Sequence, residues 1–221
     1  CIGVGSWISS QTVSDRYSTK LISEKQPQLF LVADGLGGHA DGEVASLFAV
    51  KNLSEEFYKK KLFEINTSIA AVHTKLTIDG RLSAKPMGTT IVGLILENNT
   101  ATFFNVGDSR GYILNGASLK QVTRDDHSSH NKQNVISKCL GGGVSLPTPA
   151  KYTEEYDFQS SFLLLSDGIS NWVSEEDLEK IINGSADNFS EKLSYRQKSD
   201  NFTTKNDEFP MKSEETMKFE Q

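Results

Sequence analysis

Three apolar stretches of this chain end alike. "LFLVADG" delivers Asp34, "FFNVGDS" delivers Asp108 and "LLLSDG" delivers Asp167, each aspartate followed by a small residue. One Asp-Gly after a strand is an ordinary turn, because aspartate bonds its own backbone and glycine accepts tight dihedrals. Three together point further. If the strands neighbour one another, the carboxylates gather at one edge. There they repel, and burial disfavours their charged forms. Divalent cations remove that conflict, and Mg²⁺ or Mn²⁺ suits sites built from carboxylates and water. The adjoining glycines let backbone carbonyls approach such ions.

Gly107-Asp108-Ser109-Arg110-Gly111 admits a second chemistry. It fits G-x-S-x-G, the pattern that places a serine nucleophile on a strand-turn-helix elbow. Here "YIL" follows, and then Asn115-Gly116, a strong hairpin signal. The context is strand-turn-strand, which favours Asp108 as the chemical residue. Ser109 and Arg110 then serve as scaffold, Arg110 pairing with local carboxylates. A serine hydrolase acting through Ser109 remains the contrasting reading, and it predicts metal-independent activity.

The elements that must hold these residues are legible. "QLFLVA", residues 28–33, reads as a buried strand broken at Gly35. The next stretch, 42–65, reads as an amphipathic helix with Leu47, Val50, Leu53 and Phe57 on its inner face. A second helix is expected over 67–78 with Ile69, Val72 and Leu76 inward and His73 on its surface. "GTTIVGLILEN" at 88–98 is apolar on both alternating faces, as a strand covered on both sides must be. Asn98-Asn99 then turns into "TATFFNV", and 89–122 reads as one antiparallel meander. "SSFLLLS" is another buried strand, and Ser174 with Asp177 reads as a capping box opening a helix. From about residue 183 the chain is polar without sustained period, which predicts a mobile tail.

The 221 residues suffice for one domain with a substantial core. A net charge of -6 argues against a general nucleic-acid binder, which needs a basic surface. Two cysteines, Cys1 and Cys139, cannot build a disulfide framework, so a reducing, cytoplasmic setting is expected. No apolar run approaches the roughly 20 residues of a membrane helix, so no membrane partner is expected.

The ordered set "LFLVADGLGGHADGEVAS", "GTT", "NVGDSRGYIL", "VTRDDHS", "KCLGGG", "LLLSDGISNWVSEEDL" and "SDNFT" resembles the bacterial branch of the PP2C-type metal-dependent serine/threonine phosphatases. The resemblance runs from about Asp15 to Thr203. It implies an α+β fold, an αββα sandwich of two antiparallel sheets flanked by helices, over residues 1–204, with 205–221 as a polar tail. It implies two core Mn²⁺ or Mg²⁺ ions and, in bacterial members, a weaker third. Asp34 would bridge the core pair with the Gly35 carbonyl beside it, Asp167 would hold the first ion and Asp200 would complete the core. Asp108 would serve the third ion, and Asp15 in "VSDRY" occupies a further ligand position. The implied reaction is attack on a phosphorylated protein by a hydroxide bridging two cations, without a phosphoenzyme.

The chain departs from the family pattern in places. "SWISSQTVSD" lacks the arginine that many members place before the Asp15 position to bind phosphate, and Ser14 stands where Glu or Gln is common. Leu36 stands where animal members have histidine, and His39 is read as loop support. His127 and His130 are read as part of a structural loop, and "LGGG" at 140–143 as a turn rather than a phosphate cradle. "SADNFS" makes Asp187 a rival to Asp200. The residues after Asp200 do not read as the apolar strand that members have there. A regulatory or binding module with little turnover is therefore the alternative to an active phosphatase.

Overall fold

A computed structural model of the chain describes residues 1–4, 7–9, 27–36, 40–59, 63–84, 87–126, 137–183 and 216–219. The run from Gln28 forms a strand (β3, Gln28–Val32) buried on both faces. Side chains alternate along a strand. Leu29 and Leu31 therefore join one apolar cluster, and Phe30 and Val32 join another.

Before β3 come β1 (Ile2–Val4) and β2 (Trp7–Ser9). After it come β4 (Gly35–Leu36), α1 (Ala40–Lys59), α2 (Ile65–Leu82), β5 (Gly88–Thr89), β6 (Ile91–Glu97), β7 (Thr100–Val106), β8 (Arg110–Asn115), β9 (Ser118–Gln121) and β10 (Leu140–Gly141). The remaining elements are β11 (Ala150–Glu155), β12 (Ser161–Leu165), α3 (Asp167–Ser170), α4 (Glu175–Ile182) and β13 (Thr216–Phe219). Among the described residues, six strands form one antiparallel sheet in the order β11-β7-β6-β3-β1-β2, and four form a second in the order β13-β12-β8-β9. A small sheet, β10-β5-β4, adjoins them.

Three apolar clusters correspond to the three interfaces of an αββα sandwich. Val50 and Leu53 of α1 and Ile69, Val72 and Leu76 of α2 pack on Leu29, Leu31 and Phe104 of the six-stranded sheet. Phe30, Val92 and Phe103 meet Ile113, Phe162 and Leu164 between the two sheets. Tyr112, Leu163 and Leu165 meet Ile169 and Leu178 beneath α3 and α4. Phe30 and Phe103 are fully buried in the middle layer, where truncating either to alanine costs about 3–5 kcal/mol.

Four local expectations are corrected. On α1, Val50 and Leu53 are buried and Phe57 packs against the same cluster as expected, joined by Ala45 and Ala49, while Leu47 is 37% exposed. His73 is buried rather than on the surface of α2. The expected meander is interrupted: β6-β7 and β8-β9 are each hairpins, but β7 and β8 belong to different sheets. Residues 216–219, within the expected tail, form β13 and pair with β12 from Leu165↔Thr216 to Phe162↔Phe219. A strand ladder needs only backbone groups, so a polar stretch without hydrophobic period can complete an open edge. Ser174 caps α4 as expected, accepting the Asp177 N–H at 3.1 Å.

Candidate metal centre

The strand registers bring three of the predicted aspartates to one end of the sandwich. Val32 of β3 pairs with Val92 of β6, and Ile91 of β6 pairs with Val106 of β7. One step beyond these pairs, the Thr90 N–H donates to the Asp34 carbonyl at 2.8 Å. The chain then leaves β7 through Gly107-Asp108-Ser109 and enters β8 in the other sheet. There Arg110 pairs with Leu165, so Asp108 and Asp167 each stand two residues outward from that pair. The sheet change between β7 and β8 is thus what carries Asp108 toward the ends of β3 and β12.

Asp34 is fixed through its main chain. Its carbonyl also accepts the Thr89 hydroxyl at 2.8 Å, and its N–H donates to Thr90 Oγ1 at 3.2 Å. Thr90 Oγ1 lies 2.7 Å from Ser109 Oγ in a buried contact. Two threonines therefore connect the Asp34 backbone to the turn that carries Asp108. The sequence shows "GTT", but nothing in the spacing assigns these hydroxyls a role. Gly35 lies against the first turn of α1, where a Cβ would overlap the Gly42 carbonyl. Only glycine allows that approach without moving backbone.

Ser109 is fully buried and its hydroxyl is engaged with Thr90. A serine so placed presents no oxygen to a substrate, which answers the nucleophile-elbow reading. Arg110 reaches the other way. Its Nε and Nη2 donate to Asp125 at 2.9 and 2.7 Å, and Gln121 donates to the same carboxylate at 3.1 Å. Burial alone would push Arg110 down, but the bonds and charge of Asp125 outweigh it and raise the guanidinium above its ordinary range. The next residue, Asp126, accepts the Gly107 N–H at 3.1 Å and donates its own N–H to the Gly107 carbonyl at 3.0 Å. The adjacent Asp125-Asp126 pair is a sequence signal for this double clamp, and it was legible only as part of a loop motif.

In the glycine run at 140–143, Leu140 and Gly141 form β10 and Gly142-Gly143 turn the chain after it. The Gly142 N–H donates to the Met87 carbonyl at 2.6 Å, and the Gly141 N–H donates to His73 Nδ1 at 3.1 Å. Burial pushes the His73 imidazole below its ordinary value, with a partial offset from the Cys139 backbone. Burial also pushes the Cys139 thiol up, away from reactivity.

Asp108 is buried, while Asp34 and Asp167 are partly buried. Asp15, Asp200 and its rival Asp187 lie outside the described residues, as do Arg16, His39, His127 and His130. Among the described residues, no three His, Cys, Asp or Glu side chains stand close enough together to hold a metal ion. The residues gathered at this end nevertheless fit a hard divalent cation by donor type: three carboxylates and the Gly35 carbonyl are all oxygens.

Comparison with known proteins identifies the family. The model of the family described as protein phosphatase 2C matches residues 6–199, which includes Asp15 and stops one residue short of Asp200. The serine/threonine phosphatase Stp of Listeria welshimeri is 31% identical over 215 residues, spanning 82% of this chain and 79% of that protein. The serine/threonine protein phosphatase PstP of Mycobacterium tuberculosis is 30% identical over 171 residues, spanning 67% of this chain and 33% of that protein. The crystal structure of the M. tuberculosis phosphatase superposes with a TM-score of 0.61 at 25% identity, covering 86% of this chain and 89% of that one. Among the described residues, no helix is long and apolar enough to cross a membrane. The chain belongs to the protein phosphatase 2C family.

Proposed function

We propose that this chain removes phosphate from phosphoserine and phosphothreonine in proteins, using divalent cations held at the end of the sandwich. The observation that carries the reading is the shared end of β3, β7 and β12, where Asp34, Asp108 and Asp167 leave their strands. The family is metal-dependent, and the relatives that match most of this chain are named serine/threonine phosphatases. A divalent cation bound there supplies Lewis acidity, offsetting charge on the phosphoryl oxygens and making water more acidic.

The residues of this chain hold and aim the donors. Asp34 is presented by a backbone that three hydrogen bonds fix. Asp167 opens α3, and Asn171 donates to its Oδ2 at 3.4 Å. We assign Asp34, Gly35 and Asp167 to the core cations, Asp108 to a third, and Asp15 and Asp200 to the ligand positions their motifs resemble. Asp34, Asp167 and Asp200 are the residues proposed to be required for catalysis. Residues 1–204 together with β13 form the proposed phosphatase domain. A cytoplasmic setting is part of the proposal, since two cysteines are too few for a disulfide framework.

A regulatory module with little turnover is the second reading, favoured by the missing arginine in "SWISSQTVSD". Phosphate release from phosphoserine, phosphothreonine and phosphotyrosine peptides separates the two. The enzyme reading expects release from the first two in Mn²⁺ and none in EDTA. A folded sample inert with all three peptides in Mn²⁺ and in Mg²⁺ favours the module.

A further inference from the structure

We infer that Asp126 is a positioning residue for Asp108, acting through the backbone of Gly107. The inference rests on the proposed reading of Asp108 as a ligand of a weaker third cation.

Gly107 sits at φ +106°, a left-handed conformation that favours glycine, and a Cβ there would fall 2.8 Å from Thr90 Cγ2. That conformation ends β7 and turns the chain so that Asp108 comes next. Asp126 grips this one residue twice. Its Oδ2 accepts the Gly107 N–H at 3.1 Å, and its N–H donates to the Gly107 carbonyl at 3.0 Å. Its other carboxylate oxygen, Oδ1, pairs with Lys138 Nζ at 2.5 Å. Its carbonyl accepts both the N–H and the hydroxyl of Ser137 at 2.9 Å.

Asp126 is thus fixed by Ser137 and Lys138 on one side and fixes Gly107 on the other. On the opposite flank of the turn, Ser109 is held by Thr90 and Arg110 by Asp125. The Asp108 backbone is therefore clamped at the residue before it and at the residues after it. The Gly107 carbonyl also accepts from Asn105 Nδ2 at 3.2 Å, so it is the N–H side of the upstream clamp that rests on the Asp126 carboxylate. Outer-sphere partners that orient a ligand are typically worth roughly 10–100-fold in metal affinity. Lys138 contributes by orienting the carboxylate through its ammonium contact with Oδ1.

The test counts bound Mn²⁺ by electron paramagnetic resonance during titration of the full chain, for the unmutated protein, Asp108→Ala, Asp126→Ala, Asp126→Asn and Lys138→Met. Circular dichroism confirms folding of each. The expected result is that Asp108→Ala removes the weakest Mn²⁺ class and that Asp126→Ala weakens the same class by about tenfold or more, leaving the tighter classes in place. Asp126→Asn, which keeps shape and one acceptor, is expected to lie between, and it serves if the alanine variant does not fold. Asp108→Ala weakening that class while neither Asp126 variant does would overturn the inference alone. Asp108→Ala leaving every class unchanged would remove the ligand reading and the inference with it.

Discussion

The hydroxyl oxygens of Thr90 and Ser109 lie 2.7 Å apart, and both residues are buried. Thr90 stands where β6 begins beside the end of β3, and Ser109 stands where the chain passes from one sheet to the other. The contact therefore ties the strand end that presents Asp34 to the turn that presents Asp108. It also fixes what Ser109 is for.

Ser109→Ala is expected to keep phosphatase turnover while lowering stability by about 1–3 kcal/mol, because the Thr90 hydroxyl loses a buried partner. Urea denaturation and peptide dephosphorylation check the two halves. Abolished turnover in a folded variant that still binds Mn²⁺ would return Ser109 to the chemistry.

Arg110 and Asp125 form a forked, largely buried pair, with side chains 23% and 10% exposed. Removing one partner strands the other charge, so Asp125→Ala is expected to cost about 3–5 kcal/mol. Asp125→Asn should cost less, since its amide oxygen still accepts from the guanidinium. Equal denaturation midpoints for Asp125→Ala and the unmutated protein would show that the pair contributes nothing to stability.

Gly35→Ala must displace backbone, since the new methyl would overlap the Gly42 carbonyl. Overpacking of this kind typically costs about 1–3 kcal/mol. Because Gly35 follows Asp34 directly, Mn²⁺ affinity should fall together with stability. Calorimetric Mn²⁺ titration of the folded variant checks this, and unchanged affinity would separate the α1 contact from the metal site.

His73 accepts the Gly141 N–H through Nδ1 and must stay neutral to do so. Its folded pKa lies below the ordinary 6.5, so the unfolded chain takes up this proton first as pH falls. Its contribution is therefore complete above about pH 6.5 and is lost as pH drops toward the lowered folded value. Melting temperatures measured from pH 7.5 down to 5.5 should fall more steeply for the unmutated protein than for His73→Gln. Parallel slopes would exclude His73 as the titrating group.

Much of this was legible in the sequence, for reasons particular residues show. The two-faced pattern of "QLFLV" and "GTTIVGLILEN" announced strands covered on both sides, and the β3 and β6 burial agrees. The three aspartates were found because each follows an apolar strand. The sheet change at Gly107-Asp108-Ser109 was not legible, because a two-residue turn within one sheet and a crossing between sheets use the same residue types. The position of His73 was missed because one polar residue on a helix reads as surface until its partner is known. That partner, the Gly141 backbone, lies 68 residues away along the chain. β13 was missed because edge pairing leaves little side-chain signature.

The central claim is that carboxylates at the shared strand end act through divalent cations, and Asp34→Asn tests it most directly. The substitution keeps the shape of the side chain, and the bonds from Thr89 and Thr90 use the Asp34 main chain, so they should survive it. Phosphate release from a phosphothreonine peptide would be measured in Mn²⁺ for this variant and the unmutated protein, with EDTA as control. The account predicts a fall of at least about 100-fold for the variant, the scale of removing one electrostatic group aimed at the transition state, and none of the unmutated activity in EDTA. Turnover that survives both the substitution and EDTA would contradict it.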